Sequence, residues 1–174
     1  MGSAPIEPDT KNWTWVLERP CPDCGFDAAT IEVADVGAAT RSMAESWRRC
    51  LAGPDVTVRA QADRWSVLEY ACHVRDVFRL FDQRLELMLT FDDPTFENWD
   101  QDATAIADDY ASQAPAEVAA QMIDAANRVA DRFDSVQPHQ YGRTGVRSDG
   151  AVFTIESFAR YFLHDPLHHL WDVA

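Results

Sequence analysis

Two histidines near the end of the chain, His164 and His168, have the spacing of a helical metal-binding pair. Residues four apart on an α-helix are neighbours, with Cβ atoms roughly 5–6 Å apart, so two such imidazoles can chelate one ion. A catalytic zinc ion uses three protein ligands and keeps one position open. His73 is the candidate third ligand, because His139 falls in a predicted loop and His169 points about 100° away from His168 around the helix. The sequence therefore predicts a metal site formed by His73, His164 and His168.

Three neutral imidazoles leave the charge of a divalent ion uncompensated, so the ion lowers the pKa of a bound water to about 7 and ionises a bound thiol. A hydroxide or a thiolate can then attack an electrophile at neutral pH. Asp172, four residues after His168, could orient its ring, and Arg160, four residues before His164, could hold an anionic group of the substrate. The sequence thus predicts nucleophilic chemistry on a small molecule.

The same spacing also occurs on helices that bind no metal. At about 100° per residue, His164 and His168 lie away from the main apolar stripe of the last helix, where surface histidines are found too. Pro166 lies between them, and a proline inside a helix removes a backbone hydrogen bond at a cost of roughly 3 kcal/mol. The helix must kink or break at this point, and we expect a kinked, continuous helix.

Cys21 and Cys24, in the stretch CPDCG, look like half of a zinc knuckle, in which two thiolates share a tight turn. The other half of such a knuckle is missing from the neighbouring sequence. We expect a free-thiol loop, with a site shared across a dimer or a redox pair as the alternatives. Cys72, beside His73, is expected to pack in the core.

The acidic composition narrows the function classes. A formal net charge of −14 repels phosphate backbones and anionic membrane surfaces, so we expect neither a nucleic-acid partner nor a membrane partner. The sequence has no apolar stretch of membrane-spanning length, and its beginning lacks the apolar core of a signal peptide. These features favour a soluble, cytoplasmic protein.

Four amphipathic helices are predicted to position the candidate ligands. The first runs from about Asp35 to Leu51, the second begins with a capping box at Ser66, the third opens at Pro115, and the fourth runs from near Thr154 to the end. The second helix has apolar residues at alternating spacings of four and three, which is typical of nearly parallel helices in a bundle. These residues are Val67, Ala71, Val74, Phe78, Phe81, Leu85 and Met88.

The pattern predicts an all-α fold, a four-helix bundle with an extended N-terminal arm. The arm, with four of the nine prolines, occupies residues 1–30, and the bundle occupies residues 31–174. A long acidic connection follows the second helix, and Asp149-Gly150 is a turn pair of the kind found in hairpins.

Two segments resemble the DinB-like superfamily, which includes thiol S-transferases and the metal-binding domain of mycothiol-dependent maleylpyruvate isomerase. The stretch WSVLEYACHVRDV resembles its second helix and places His73 at the first ligand, while HDPLHHLWDV resembles its last helix and places His164 and His168 at the other two. The isomerase branch usually has glutamate where His164 stands, so this chain departs toward a three-histidine pattern.

The resemblance implies a four-helix bundle, often dimeric, that binds a divalent metal ion. Zinc is expected first, with nickel, iron or manganese as alternatives. The implied activity is transfer of a low-molecular-weight thiol to an electrophile, or hydrolysis of a small substrate, with a homodimer as the expected assembly. Two alternatives remain open: a non-catalytic bundle in which the metal only staples two helices together, and a metal-free interaction protein.

Overall fold

A computed structural model describes residue 6 and residues 8–174. Four long helices form a bundle, so the predicted all-α architecture is confirmed. In chain order the elements are α1 (Val36–Leu51), α2 (Val67–Thr90), β1 (Thr95–Phe96), α3 (Gln101–Ala107), α4 (Pro115–Ser135), β2 (Thr144–Arg147), β3 (Val152–Thr154) and α5 (Ile155–Asp172). Helix α4 packs on α1 and α2, α5 packs on the same two helices, and the short α3 lies in the connection after α2.

Helix α2 begins as predicted. The Ser66 side chain accepts a hydrogen bond from the Glu69 amide (3.2 Å), and the Glu69 carboxylate accepts one from the Ser66 amide (2.8 Å). This capping box satisfies two backbone donors that the first turn leaves free. The apolar seam of α2 is buried except for the half-buried Val67. His73, in the second turn, is itself completely buried.

Helix α1 begins at Val36, as predicted to within one residue, with Asp35 at the N-cap position. A single 3-10 turn, Val33–Asp35, precedes it, and the Asp35 side chain makes no capping hydrogen bond. The helix still ends at Leu51, as expected.

The three strands form one small sheet in the order β1-β2-β3. Strands β2 and β3 form the hairpin that Asp149-Gly150 predicts, and Gly150 adopts a positive φ of 92° at the turn. Strand β1 adds to the other edge of β2 in parallel, with Thr95 opposite Val146. The sequence pattern did not predict β1.

Helix α5 continues without a break through Pro166, so His164 and His168 share one helix. The indole Nε1–H of Trp47 donates a hydrogen bond to the Pro166 carbonyl (3.2 Å) and ties this turn to α1. The core around α5 is rich in buried aromatic residues, among them Phe158 and Phe162. In the described part of the chain no helix has both the length and the apolar character that crossing a membrane requires.

Candidate metal centre

His73 on α2 meets Asp165 and His169 on α5. The Nε2 atom of His73 lies 3.1 Å from Asp165 Oδ1 and 3.3 Å from Oδ2, and His169 Nε2 lies 3.8 Å from Asp165 Oδ1. One ligand atom from each of the three residues lies within 4.8 Å of the others. Two ligands bound to zinc at about 2.0–2.2 Å in tetrahedral geometry are separated by about 3.3 Å, so these residues fit a common ion. We call them the His–Asp–His group.

Neighbouring side chains fix the two imidazoles of this group. Asp172 lies 2.8 Å from His169 Nδ1, which leaves Nε2 directed toward Asp165. Trp99 stacks on the His73 ring with a centroid separation of 5.3 Å and an interplanar angle of 8°. A carboxylate behind a ligating histidine is the usual arrangement in protein metal sites.

The electrostatics of the group keep Asp165 ionised and favour a proton on His169, with which a metal ion must compete. Burial alone would raise the pKa of the Asp165 carboxyl, but the charges of His73 and His169 and the hydrogen bond with His73 outweigh it and hold this pKa well below its ordinary value. Burial lowers the pKa of His169, but Asp165 and Asp172 raise it by more. Asp165 is therefore ionised at neutral pH, the form that binds a cation.

His164 and His168 face the N-terminal arm and lie beside Cys21 and Cys24. The sulfur of Cys21 is 3.6 Å from His168 Nδ1, and one ligand atom from each of the four residues lies within 4.8 Å of the others. We call these four residues the Cys–His group. The sequence predicted a free-thiol loop at CPDCG, because no second ligand pair of a zinc knuckle lies nearby in the sequence. In the structure, His164 and His168 supply such a second pair.

The structure thus divides the predicted triad of His73, His164 and His168 between two groups. Asp165 and His169 have the same four-residue spacing as His164 and His168, one position further along α5. One residue corresponds to a rotation of about 100° around a helix, so only one of the two pairs can face α2. Spacing does not reveal which pair does so, because helix packing sets the rotation of α5.

Burial keeps the imidazoles of the Cys–His group neutral. It lowers the pKa of His164 to about 4, with a further contribution from His168, and burial also lowers the pKa of His168. Burial raises the pKa of the Cys24 thiol to about 11. The ring of Trp13 lies 5.5 Å from that of His164 and 5.2 Å from that of His168.

A cavity of about 550 Å³ adjoins both groups. Asp165, His169 and the arm form part of its wall, and the buried side chains of Arg84 and Arg147 form another part. Arg147 is paired with Asp149, whereas no carboxylate among the described residues pairs with Arg84, which donates to the Glu97 carbonyl (2.6 Å).

Burial lowers the pKa of Arg84 to about 10, and the charge of Arg147 contributes to this shift. Arg84 is still a cation at neutral pH. Arg84 therefore places one buried positive charge on a cavity wall that also contains aspartates: Asp9, Asp100, Asp102, Asp149 and Asp165.

Arg160 is placed elsewhere. Its guanidinium donates to the Ile31 carbonyl (3.1 Å) and pairs with Glu156 (2.9 Å), and it is absent from the described residues that line the cavity. Asp172, which the spacing assigned to His168, contacts His169 instead. The signals that could have identified the observed arrangement are the second four-residue pair, Asp165 and His169, and the aspartate three residues after it.

Comparisons with known proteins give a family and a fold. The profile of the DinB superfamily matches residues 33–173. The structure of YfiT from Bacillus subtilis, described as a probable metal-dependent hydrolase with an unusual four-helix bundle topology, has a TM-score of 0.72 with 16% sequence identity, over 83% of this chain and 88% of YfiT. At this identity the likeness shows the fold alone. No curated protein matches.

Proposed function

Because the chain belongs to the DinB superfamily, we propose that it is a metal-dependent enzyme whose ion is held by the His–Asp–His group. The observation that carries this proposal is the convergence of His73, Asp165 and His169 from two helices beside a cavity. Two histidines and one carboxylate are ligands of catalytic zinc and of non-haem iron in other proteins. The zinc sites and the iron sites of this kind both leave coordination positions free for a substrate or a nucleophile.

Each residue of the group has a distinct role in the proposal. His73 supplies a ligand from the rigid, buried face of α2, and Trp99 holds its ring. Asp165, whose side chain is 33% exposed, supplies a negative charge at the cavity wall. Asp172 orients His169. A divalent ion bound here would lower the pKa of a nucleophile beside it.

The proposed substrate is a small molecule whose anionic group pairs with Arg84. A volume of about 550 Å³ lies within the range typical of small-molecule sites. Arg84 is a buried cation without a carboxylate partner among the described residues, so an anionic group would compensate a charge that is costly to bury. We therefore assign anion binding to Arg84, with Arg147 beside it, in place of Arg160.

The nucleophile in this proposal is water or a low-molecular-weight thiol. The description of YfiT as a probable metal-dependent hydrolase supports water. The resemblance to thiol S-transferases supports a thiol. We place hydrolysis first, because it needs only one organic substrate in the cavity, and thiol transfer second.

Turnover by the metal-loaded protein tests the proposal. Carboxylate-bearing esters and amides would be screened for hydrolysis, and electrophiles would be screened with and without cellular thiols. We expect turnover by the wild type, a loss of at least about a hundredfold in Asp165→Asn, and no loss in the control His139→Ala, which changes an exposed histidine outside both groups. No turnover of any substrate by metal-loaded protein, or unchanged turnover in Asp165→Asn, would favour a purely structural metal.

The anion site has its own test. We expect Arg84→Met to raise KM for an anionic substrate about tenfold to a hundredfold, the loss of one charge-assisted hydrogen bond, and to leave a neutral analogue unaffected. Arg128→Met is the matched control, because Arg128 is solvent-exposed outside the cavity wall. An equal KM for the anionic substrate in Arg84→Met and the control would remove Arg84 from the substrate site.

A further inference from the structure

The N-terminal arm presents two thiols from one tight turn. The Cys21 amide donates to the Phe26 carbonyl (2.8 Å), and the Gly25 amide donates to the Cys21 carbonyl (2.9 Å). Gly25 has a φ of 74°, a conformation that glycine adopts without steric cost. This turn brings Cys21 and Cys24 together beside α5, where His164 and His168 project one helical turn apart.

The distances within the Cys–His group match those of a tetrahedral zinc site. Zinc binds thiolate sulfur at about 2.3 Å and imidazole nitrogen at about 2.0–2.1 Å, so a sulfur and a nitrogen bound to one tetrahedral ion lie about 3.5 Å apart. Cys21 Sγ and His168 Nδ1 are 3.6 Å apart. The complete set, with all four ligand atoms within 4.8 Å of one another, needs only small adjustments to share one ion.

A buried nitrogen in this group independently indicates a ligand. His164 is 4% exposed, and its Nε2 atom has no hydrogen-bond partner among the described residues. A buried polar atom without a partner costs about 1–3 kcal/mol, so such atoms are rare unless they have a further function. Coordination of a metal ion by this atom would remove the cost.

We infer that Cys21, Cys24, His164 and His168 form a second metal site, a closed zinc site that fastens the N-terminal arm to α5. Two thiolates balance the charge of the ion, which suits a position where Cys21 is 1% and His168 is 8% exposed. Four protein ligands leave no open position, so the ion is structural and not catalytic. Thiolates also select zinc over the harder ions that prefer carboxylates.

The zinc site would shape the cavity of the proposed enzyme. Arm residues from Pro8 to Trp13 line that cavity, and the ring of Trp13 lies against the imidazoles of the Cys–His group. An ion at this point holds the arm in place as one wall. The inference does not depend on the proposed reaction, because it assigns a different set of ligands.

Cobalt substitution of the wild-type protein tests the inference directly. Thiolates bound to Co²⁺ give strong charge-transfer absorption in the near ultraviolet, whereas histidine and carboxylate ligands do not. We expect this absorption in the cobalt-loaded wild type and in His73→Ala, which changes only the other group. Its absence from the wild type would overturn the inference, as would a Cys21–Cys24 disulfide in protein purified under reducing conditions.

Zinc content provides the second measurement. We expect the double variant Cys21→Ser, Cys24→Ser to contain about one zinc ion per chain fewer than the wild type after desalting. Cys50→Ser is the matched control, because Cys50 is half-buried and lies outside the group. Equal zinc content in the double variant, the control and the wild type would contradict the site. The cobalt spectrum of the wild type remains decisive if the double variant does not fold.

Discussion

At the scale of single residues, four positions on α5 separate two kinds of metal chemistry. His164 and His168 join two sulfurs, whereas Asp165 and His169 join an imidazole from α2. The first set is closed and neutral when it binds zinc, and the second contains a carboxylate at a cavity wall. Adjacent residues therefore belong to different sites because they project about 100° apart around one helix.

Asp172 provides a test of the His–Asp–His group at this scale. We expect Asp172→Asn to weaken metal binding by His73, Asp165 and His169 about tenfold to a hundredfold, because the carboxylate that orients His169 and raises its basicity is lost. Competition with a chelating dye measures the affinity. Asp124→Asn is the control, since Asp124 only pairs with Arg128 on the surface. Equal affinity in both variants would show that Asp172 does not support the site.

At the scale of elements, a buried ionic network joins α2 to the segment before α4. The Tyr110 hydroxyl donates to Asp76 (2.6 Å), and the Arg75 guanidinium pairs with the same carboxylate (2.9 Å). Burial would raise the pKa of Asp76, but the bonds from Arg75 and Tyr110 outweigh it and lower this pKa. The network holds α2 in place about one helical turn after His73.

The lowered pKa of Asp76 predicts a pH-dependent contribution to stability. The contribution is complete above the ordinary carboxyl pKa of 3.8 and is lost as the pH falls below it toward the lower pKa of the folded state. We expect Asp76→Asn to lower the free energy of unfolding by about 1–3 kcal/mol at pH 7, and this difference to shrink below about pH 4.

Urea denaturation in the presence of a chelator measures the effect without a contribution from metal release. The exposed Asp63→Asn is the control and should match the wild type at both pH values. A deficit in Asp76→Asn that does not depend on pH would contradict the assignment.

The contact between β2 and α2 depends on Gly145. A Cβ atom at this position would lie 2.8 Å from Met88 Cγ and 2.9 Å from Phe96 Cε1, and both of these side chains are buried. We expect Gly145→Ala to lower the free energy of unfolding by about 1–3 kcal/mol through overpacking. Gly142→Ala is the matched control, because its Cβ would meet no atom within 4 Å. Equal denaturation midpoints for the two variants would show that the strand can shift at little cost.

At the scale of the whole molecule, the local sequence predicted most of the fold but not the rotation of α5. The capping box at Ser66 and the proline at Pro115 mark helix starts through chemistry that is complete within one turn, so both starts were predictable. The ligands of each metal group depend on packing between distant segments: Cys21 and His168 are 147 residues apart. Neither spacing nor periodicity encodes which face of α5 meets α2, and strand β1 is too short to leave a pattern.

The attachment of the arm can be tested on the intact protein. We expect chelation of zinc to increase trypsin cleavage after Lys11 about tenfold or more, because the arm loses the binding free energy of the ion. Cleavage within α1, α2 and α4 should stay slow, since these helices pack mainly on one another. Mass spectrometry of the early fragments gives the sites. Equal cleavage of the arm before and after chelation would show that apolar packing alone holds it.

The two interleaved pairs on α5 also imply an order in which the two groups bind metal ions. A thiolate pair retains zinc much more tightly than a set with one carboxylate and open positions, so scarce zinc would occupy the arm first and leave the second group to exchange with whichever ion the cell supplies. The arm would then be fixed against the cavity before the His–Asp–His group binds its ion. A freshly isolated sample would contain one firmly held ion and one that dialysis removes.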